Sequence, residues 1–154
     1  MLEVRTIRPE EIVPMVMAGK MLHARSAFRH MEYDVDRVVR IAVRALSEPN
    51  RYFLKVIAYN DTPVGVLFCY ISESFFGRDL VASDFVFFVI PSMQGKCSMA
   101  VKEIVDEYQF WAAANGAKRI NLGCSTEIDA DRTAKLFEHL GLPQTGTLHS
   151  VEVH

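Results

Sequence analysis

Hydrophobic and polar positions change their period several times along this chain, and each change marks an element. Over 2–8, Leu2, Val4, Thr6 and Arg8 alternate with Glu3, Arg5 and Ile7, which predicts a strand closed by Pro9. Glu11-Ile12-Val13-Pro14 reads as a helix start, and the helix runs to about His23. Pro14 falls in its first turn, where a missing N–H costs nothing. After a looser stretch at 25–33, Asp34 is a good N-cap for a second helix. Val38, Ile41, Ala42, Ala45 and Leu46 give that helix an apolar face, Arg37, Arg40 and Arg44 a solvated one, and Pro49 ends it.

The period then shortens. Residues 52–59 are rich in aromatic and β-branched side chains, Asn60-Asp61-Thr62-Pro63 is turn chemistry, and 64–74 is the partner strand. A second turn at 75–79 leads into a third strand at 80–90, nearly all apolar at its end, as expected of a strand covered on both faces. A polar turn follows. The long helix after it carries Val101, Ile104, Val105, Tyr108, Trp111 and Ala112 on one face, with Asn115-Gly116 as its C-cap. Residues 118–124 form the next strand, and Asp129 or Asp131 caps a last helix with Thr133, Leu136, Phe137 and Leu140 inward. Gly141 and Pro143 stop it. A final strand is expected at about 146–153, although Leu148, Val151 and Val153 do not alternate cleanly. The order β-α-α-β-β-β-α-β-α-β predicts a mixed α/β fold. It has a mostly antiparallel sheet, helices on both faces and one parallel pair made by a strand–helix–strand crossover.

Composition adds limits. A length of 154 residues suits a single domain over 1–154, and 50% hydrophobic with 23% charged residues is ordinary for a globular protein. A net charge of −2 gives no general attraction to nucleic acid or to an anionic membrane. The 3 cysteines are widely spaced without CxxC, and the 5 histidines form no ligand pattern. Both facts argue against a disulfide framework or a metal site. The N-terminus carries charges where a signal peptide needs an apolar core, and no apolar run would span a bilayer. The expectation is a cytoplasmic, soluble protein.

The turn after the third strand carries the candidate chemistry. Such a turn aims backbone N–H groups outward, as a phosphate site or merely as a connector. Val89-Ile90-Pro91 ends the strand and Gln94-Gly95-Lys96 begins the loop. Further on, Asn115-Gly116-Ala117-Lys118-Arg119-Ile120 joins helix to strand, and Leu136-Phe137-Glu138-His139-Leu140-Gly141-Leu142 ends the last helix. On these residues and the order of elements, the chain resembles the GNAT superfamily of acyl-CoA-dependent N-acyltransferases. It resembles the compact members found in bacteriophages and environmental bacteria. The family's loop has glycine, then glycine or alanine, where this chain has Cys97 and Met99. Met99 would either narrow the site or point into the core.

The resemblance implies a GNAT-like fold whose parallel strands splay apart. It places the pantetheine arm of acetyl-CoA along Phe88, Val89 and Ile90, with Phe137 beside it. It places the pyrophosphate on Gln94, Gly95, Lys96, Cys97, Ser98 and Met99. It further implies direct transfer of an acetyl group, within a ternary complex, to a primary amine on a small molecule or peptide. No metal, nucleic acid or membrane is expected to take part, and a homodimer stays open. Asp84, a carboxylate in an apolar strand, falls where several members carry a glutamate that deprotonates the acceptor through water. Its other reading is a turn residue at the strand's exposed start. Glu127 is the second carboxylate, a base or a solvated helix-start acid, and Glu73 is a candidate for holding a cationic acceptor. The family's acid tyrosine falls on Phe137, which has no proton to donate. Tyr70, Ser125 or water would stand in. Cys124 reads as a buried, inert cysteine. The resemblance puts acceptor specificity in the first two helices, their connection at 24–33 and the turn at 75–79. The alternative functions are a catalytically weak or inactive acyl-CoA-binding protein of this fold and an interaction domain without ligand.

Overall fold

The computed structural model describes residues 1–123 and 130–154. The elements are β1 (Leu2–Thr6), α1 (Ile12–His23), α2 (Val35–Ser47), β2 (Tyr52–Tyr59), β3 (Thr62–Glu73), β4 (Leu80–Val89), α3 (Ser98–Ala114), β5 (Ala117–Ile120) and α4 (Ala130–His139). Single 3₁₀ turns at Pro9–Glu11 and Pro91–Met93 precede α1 and α3.

Local chemistry explains the boundaries. The Asp34 carboxylate accepts from the Arg37 N–H at 3.1 Å, the expected cap of α2. Asn60 and Asp61 take φ of 49° and 68°, so β2 turns into β3 within two residues. β1 stops at Thr6, two residues before Arg8. There Glu11 accepts from the Arg8 N–H at 2.9 Å and from both terminal nitrogens of Arg5 at 2.7 and 2.8 Å, which starts the 3₁₀ turn.

The sheet runs in chain order, antiparallel except for the parallel pair β4–β5 joined by α3. Alternation along β2 and β3 divides the core. Leu54, Val56, Val66 and Phe68 pack under α1 and α2 with Ile12, Met15, Ala42 and Ala45. Phe53, Ile57, Leu67, Cys69 and Ile71 pack against Ala100, Val101, Ile104, Val105 and Tyr108 of α3. The middle strands are thus covered on both faces, and each fully buried Ile or Leu contributes roughly 1.5–3 kcal/mol.

Two expected elements differ. β5 is shorter than 118–124. No residue in 143–154 joins the sheet, so the strand expected at 146–153 is absent. Leu148, Val151 and Val153 are 72%, 86% and 89% exposed. A strand repeats every two residues, so no register puts 148, 151 and 153 on one face. Among the described residues, no helix is long and apolar enough to cross a membrane.

Candidate active site

The site begins where the parallel pair parts. β5 pairs with β4 only at Leu80, Val81 and Ala82, and the Asn121 N–H donates to Ala82 O at 2.9 Å. Among the described residues nothing pairs with this edge of β4 beyond that point. The Ile90 N–H donates to Val64 O at 2.8 Å, on the β3 side. Alternation therefore turns the N–H and C=O groups of Phe87 and Val89 toward the free edge. The Val89 carbonyl accepts from Gln94 Nε2 at 3.2 Å.

A bulge shapes the same strand. Phe68 pairs with Val86 and Cys69 with Asp84, so Phe85 has no partner. Asp84 keeps the α3 face of Ala82. Phe85 turns to the other face and stacks on Tyr70 with ring centroids 4.3 Å apart. Asp84 is thus half-buried in mid-strand rather than exposed at a turn. Its carboxylate accepts from the Gly123 N–H at 3.1 Å. Burial pushes the Asp84 carboxyl above the ordinary range, and the bonds from Gly123 and its own backbone N–H only partly offset this. The Tyr108 hydroxyl donates to Asn121 O at 3.0 Å and fixes the chain where β5 leaves the sheet.

The loop expected to hold phosphate ends at an open helix N-terminus. Gly95 takes φ +80°, the left-handed region that favours glycine. The Val101 N–H bonds back to Cys97 O at 2.8 Å, and the N–H groups before it have no place in the helical ladder. No side chain caps Cys97, and no acidic residue lies in the first turn. Cys97 is 2% exposed and faces the core, where burial pushes its thiol up. Met99 is 85% exposed and points to solvent. It neither narrows the site nor enters the core, because α3 buries Ala100, Val101 and Ile104 instead. Lys96 and Ser98 are exposed at the same end.

A cavity of about 640 Å³ runs from this helix end past Asp84 to the space beneath α1 and α2. Phe88, Val89, Gln94, Gly95, Cys97 and Ser98 line it, while Ile90, Lys96 and Met99 do not. Phe137 also lines it, 6% exposed and stacked on Phe87 at 6.3 Å and 13°. Glu73 is exposed, and neither it nor Tyr70 lines the cavity. Phe75 and Phe76 of the 75–79 turn are 97% and 94% exposed and stand clear of it. Glu127, Cys124 and Ser125 lie outside the described residues.

Two features escaped the sequence reading. Arg132 of α4 lines the cavity, and its Nη2 would lie 3.3 Å from a Cβ on Gly95. The signal was its place four residues before the inward Leu136, one turn along the same helix face. Gly19 lies inside α1, where a Cβ would come within 2.8 Å of the Tyr33 hydroxyl. That hydroxyl donates to Val16 O at 2.9 Å and ties the 24–33 connection across α1. Glycine inside a helix costs about 1 kcal/mol against alanine, which marks such a close approach.

No family model matches the chain, and no curated protein matches it in sequence. Solved structures match its fold. Glucosamine-6-phosphate N-acetyltransferase from Arabidopsis thaliana superposes with a TM-score of 0.72 at 13% identity, over 100% of this chain and 99% of that one. AAC(6')-Iy, in complex with the bisubstrate analog CoA-S-monomethyl-acetylneamine, matches with a TM-score of 0.72, 13% identity and the same coverage. An aminoglycoside acetyltransferase from an uncultured soil metagenomic sample gives 0.68 at 15% identity, over 100% of this chain and 99% of that one. The fold is that of the GNAT-type acetyltransferases.

Proposed function

We propose that this chain transfers an acetyl group from acetyl-CoA to a primary amine by direct attack within a ternary complex. The observation that carries this reading is the edge of β4 left unpaired among the described residues, which leads to the N-terminus of α3, where no side chain caps, with Asp84 beside it. The residues suit the cofactor. A strand edge accepts an extended amide chain as it would another strand. A helix N-terminus carries about half a positive charge and unpaired donors. Gly95 leaves open the space beneath Arg132 that a Cβ would take.

Acetyl-CoA supplies the acetyl group as an activated thioester. Phe87 and Val89 offer backbone groups to its pantetheine arm, and the Val89 N–H can hold developing negative charge on the acetyl oxygen. Gln94, Gly95, Cys97 and Ser98 offer the α3 end to its phosphates, with Arg132 and Lys96 adding positive charge. Asp84 accepts the ammonium proton, through water, so that the amine can attack. Its raised carboxyl makes it a stronger base than an exposed aspartate. Phe137 closes the site near the leaving sulfur without donating to it, so the thiolate takes its proton from water. Fold neighbours that acetylate amino sugars and aminoglycosides support acyl transfer.

The test is calorimetric titration with acetyl-CoA, with Gly95→Asp as control, followed by amine-dependent release of CoA thiol. Micromolar binding that is lost in Gly95→Asp is expected. Absence of binding at millimolar acetyl-CoA would sink the proposal.

A further inference from the structure

The cavity has two unlike ends. Arg132, Gln94 and the α3 N-terminus line one. Beyond Asp84, the other lies between the sheet and the two first helices, walled by Met15, Val16, Phe28, Ile41, Ala42 and Phe88. Among the described residues, the hydroxyls of this second end have partners within the protein, and the His23 ring lies against that of Tyr33 with centroids 5.2 Å apart. Ser26 is 2% exposed, and its hydroxyl donates to His23 O at 2.8 Å and accepts from the Phe28 N–H at 3.1 Å. The Tyr33 hydroxyl is held by Val16 O. Among the described lining residues Asp84 is the one carboxylate, and no lysine or arginine of α1, α2 or their connection is present.

We infer that the acceptor is a primary monoamine carried on an apolar body the size of an aromatic ring. The inference rests on the acetyl-transfer reading above and names its substrate class. One carboxylate matches one ammonium. Each further ammonium of a polyamine or aminoglycoside would be stripped of water against methyl and ring carbons with nothing to pair with. A sugar phosphate would find neither lysine nor arginine among the described residues of that end, where His23 is the one imidazole. An aromatic or branched apolar body meets the wall at no such cost and gains by leaving water.

The test is calorimetry on the whole protein, alone and with saturating CoA. The ligands are 2-phenylethylamine, ethylamine, spermidine and glucosamine 6-phosphate. Phenylethylamine is expected to bind about tenfold or more tighter than ethylamine, the scale set by burying a ring, and tighter than spermidine. Ile41→Asp, at a half-buried lining position, should narrow both margins by adding a second carboxylate. Spermidine or glucosamine 6-phosphate binding more tightly than phenylethylamine overturns the inference. So does parity of phenylethylamine with ethylamine, or no binding by any of the amines at millimolar concentration. Acetyl-CoA titrated into the same sample tests the transfer reading separately, so failure of one is told from failure of the other.

Discussion

The Asp84 carboxylate holds the backbone N–H of Gly123 at 3.1 Å across the point where β4 and β5 part. One side chain thus fixes the mouth of the gap and faces into the cavity. If Asp84 is the base proposed above, its burial should make activity and stability respond to pH in opposite directions.

Asp84→Asn is expected to lower kcat by about 100-fold or more, the usual contribution of a positioned base. The wild-type rate should rise with pH along an acid limb above the ordinary aspartate range, and the variant should lack that limb. Stability follows the other sign. The folded carboxyl is raised, so the folded state loses stability as pH climbs from the unfolded value through the folded one. At neutral pH the charge is a net cost, and the asparagine variant should melt higher. Rate–pH profiles and thermal melts of both proteins check this pair of signs.

Phe137→Tyr places a hydroxyl in the cavity wall beside Phe87. If that position faces the leaving sulfur, kcat should rise about tenfold, and the rate should gain a basic limb as the phenol ionises. Acetyl-CoA affinity should stay unchanged. Steady-state kinetics across pH decide it, and a flat response would remove position 137 from the chemistry.

Arg132→Gln should weaken acetyl-CoA binding about tenfold, the worth of one charge-assisted contact to phosphate. It should also flatten the dependence of affinity on salt. Titrations at low and high ionic strength measure both effects. Unchanged affinity would place the guanidinium of Arg132 outside the phosphate site.

Gly19→Ala brings a methyl group to 2.8 Å from the Tyr33 hydroxyl. It should raise KM for the amine while leaving acetyl-CoA affinity alone, because Tyr33 ties the 24–33 connection across α1, beside the space proposed for the acceptor. In a Tyr33→Phe background the same change should cost much less. A double-mutant cycle on KM would show this as coupling between the two positions.

Much of this was legible in the chain, for reasons that can be named. Helical spacing sorted α3, the Asp34 cap set the start of α2, and Asn60-Asp61 turned the first hairpin, because each is a local rule satisfied locally. The outward orientation of Met99 was missed, because the apolar face read from the sequence began at Val101 and left out Ala100, which with Val101 forms the inner pair. The bulge at Phe85 was not legible. An apolar run such as Phe85-Val86-Phe87-Phe88 has no polar marker to show which residue is skipped, and only pairing with Phe68 and Cys69 reveals it. The strand expected at 146–153 failed by the opposite route, since β-prone residues were present without a two-residue repeat. Arg132 and Gly95 are far apart in sequence, and only the fold brings them together.

The unpaired Phe85 also sets the phase of β4. Ala82 and Asp84 share a face with Phe87 and Val89, although an unbroken two-residue count would set Phe87 opposite Asp84. Drawing Phe85 into the ladder, with every residue kept, would restore even counting and invert the strand's lower half. Phe87 would turn away from Phe137, and Phe88 would leave the space beneath α1 and α2 for the α3 face. The backbone donors of Phe87 and Val89 would turn inward toward β3, closing the free edge. The bulge at Phe85 is thus a parity condition on the whole cleft.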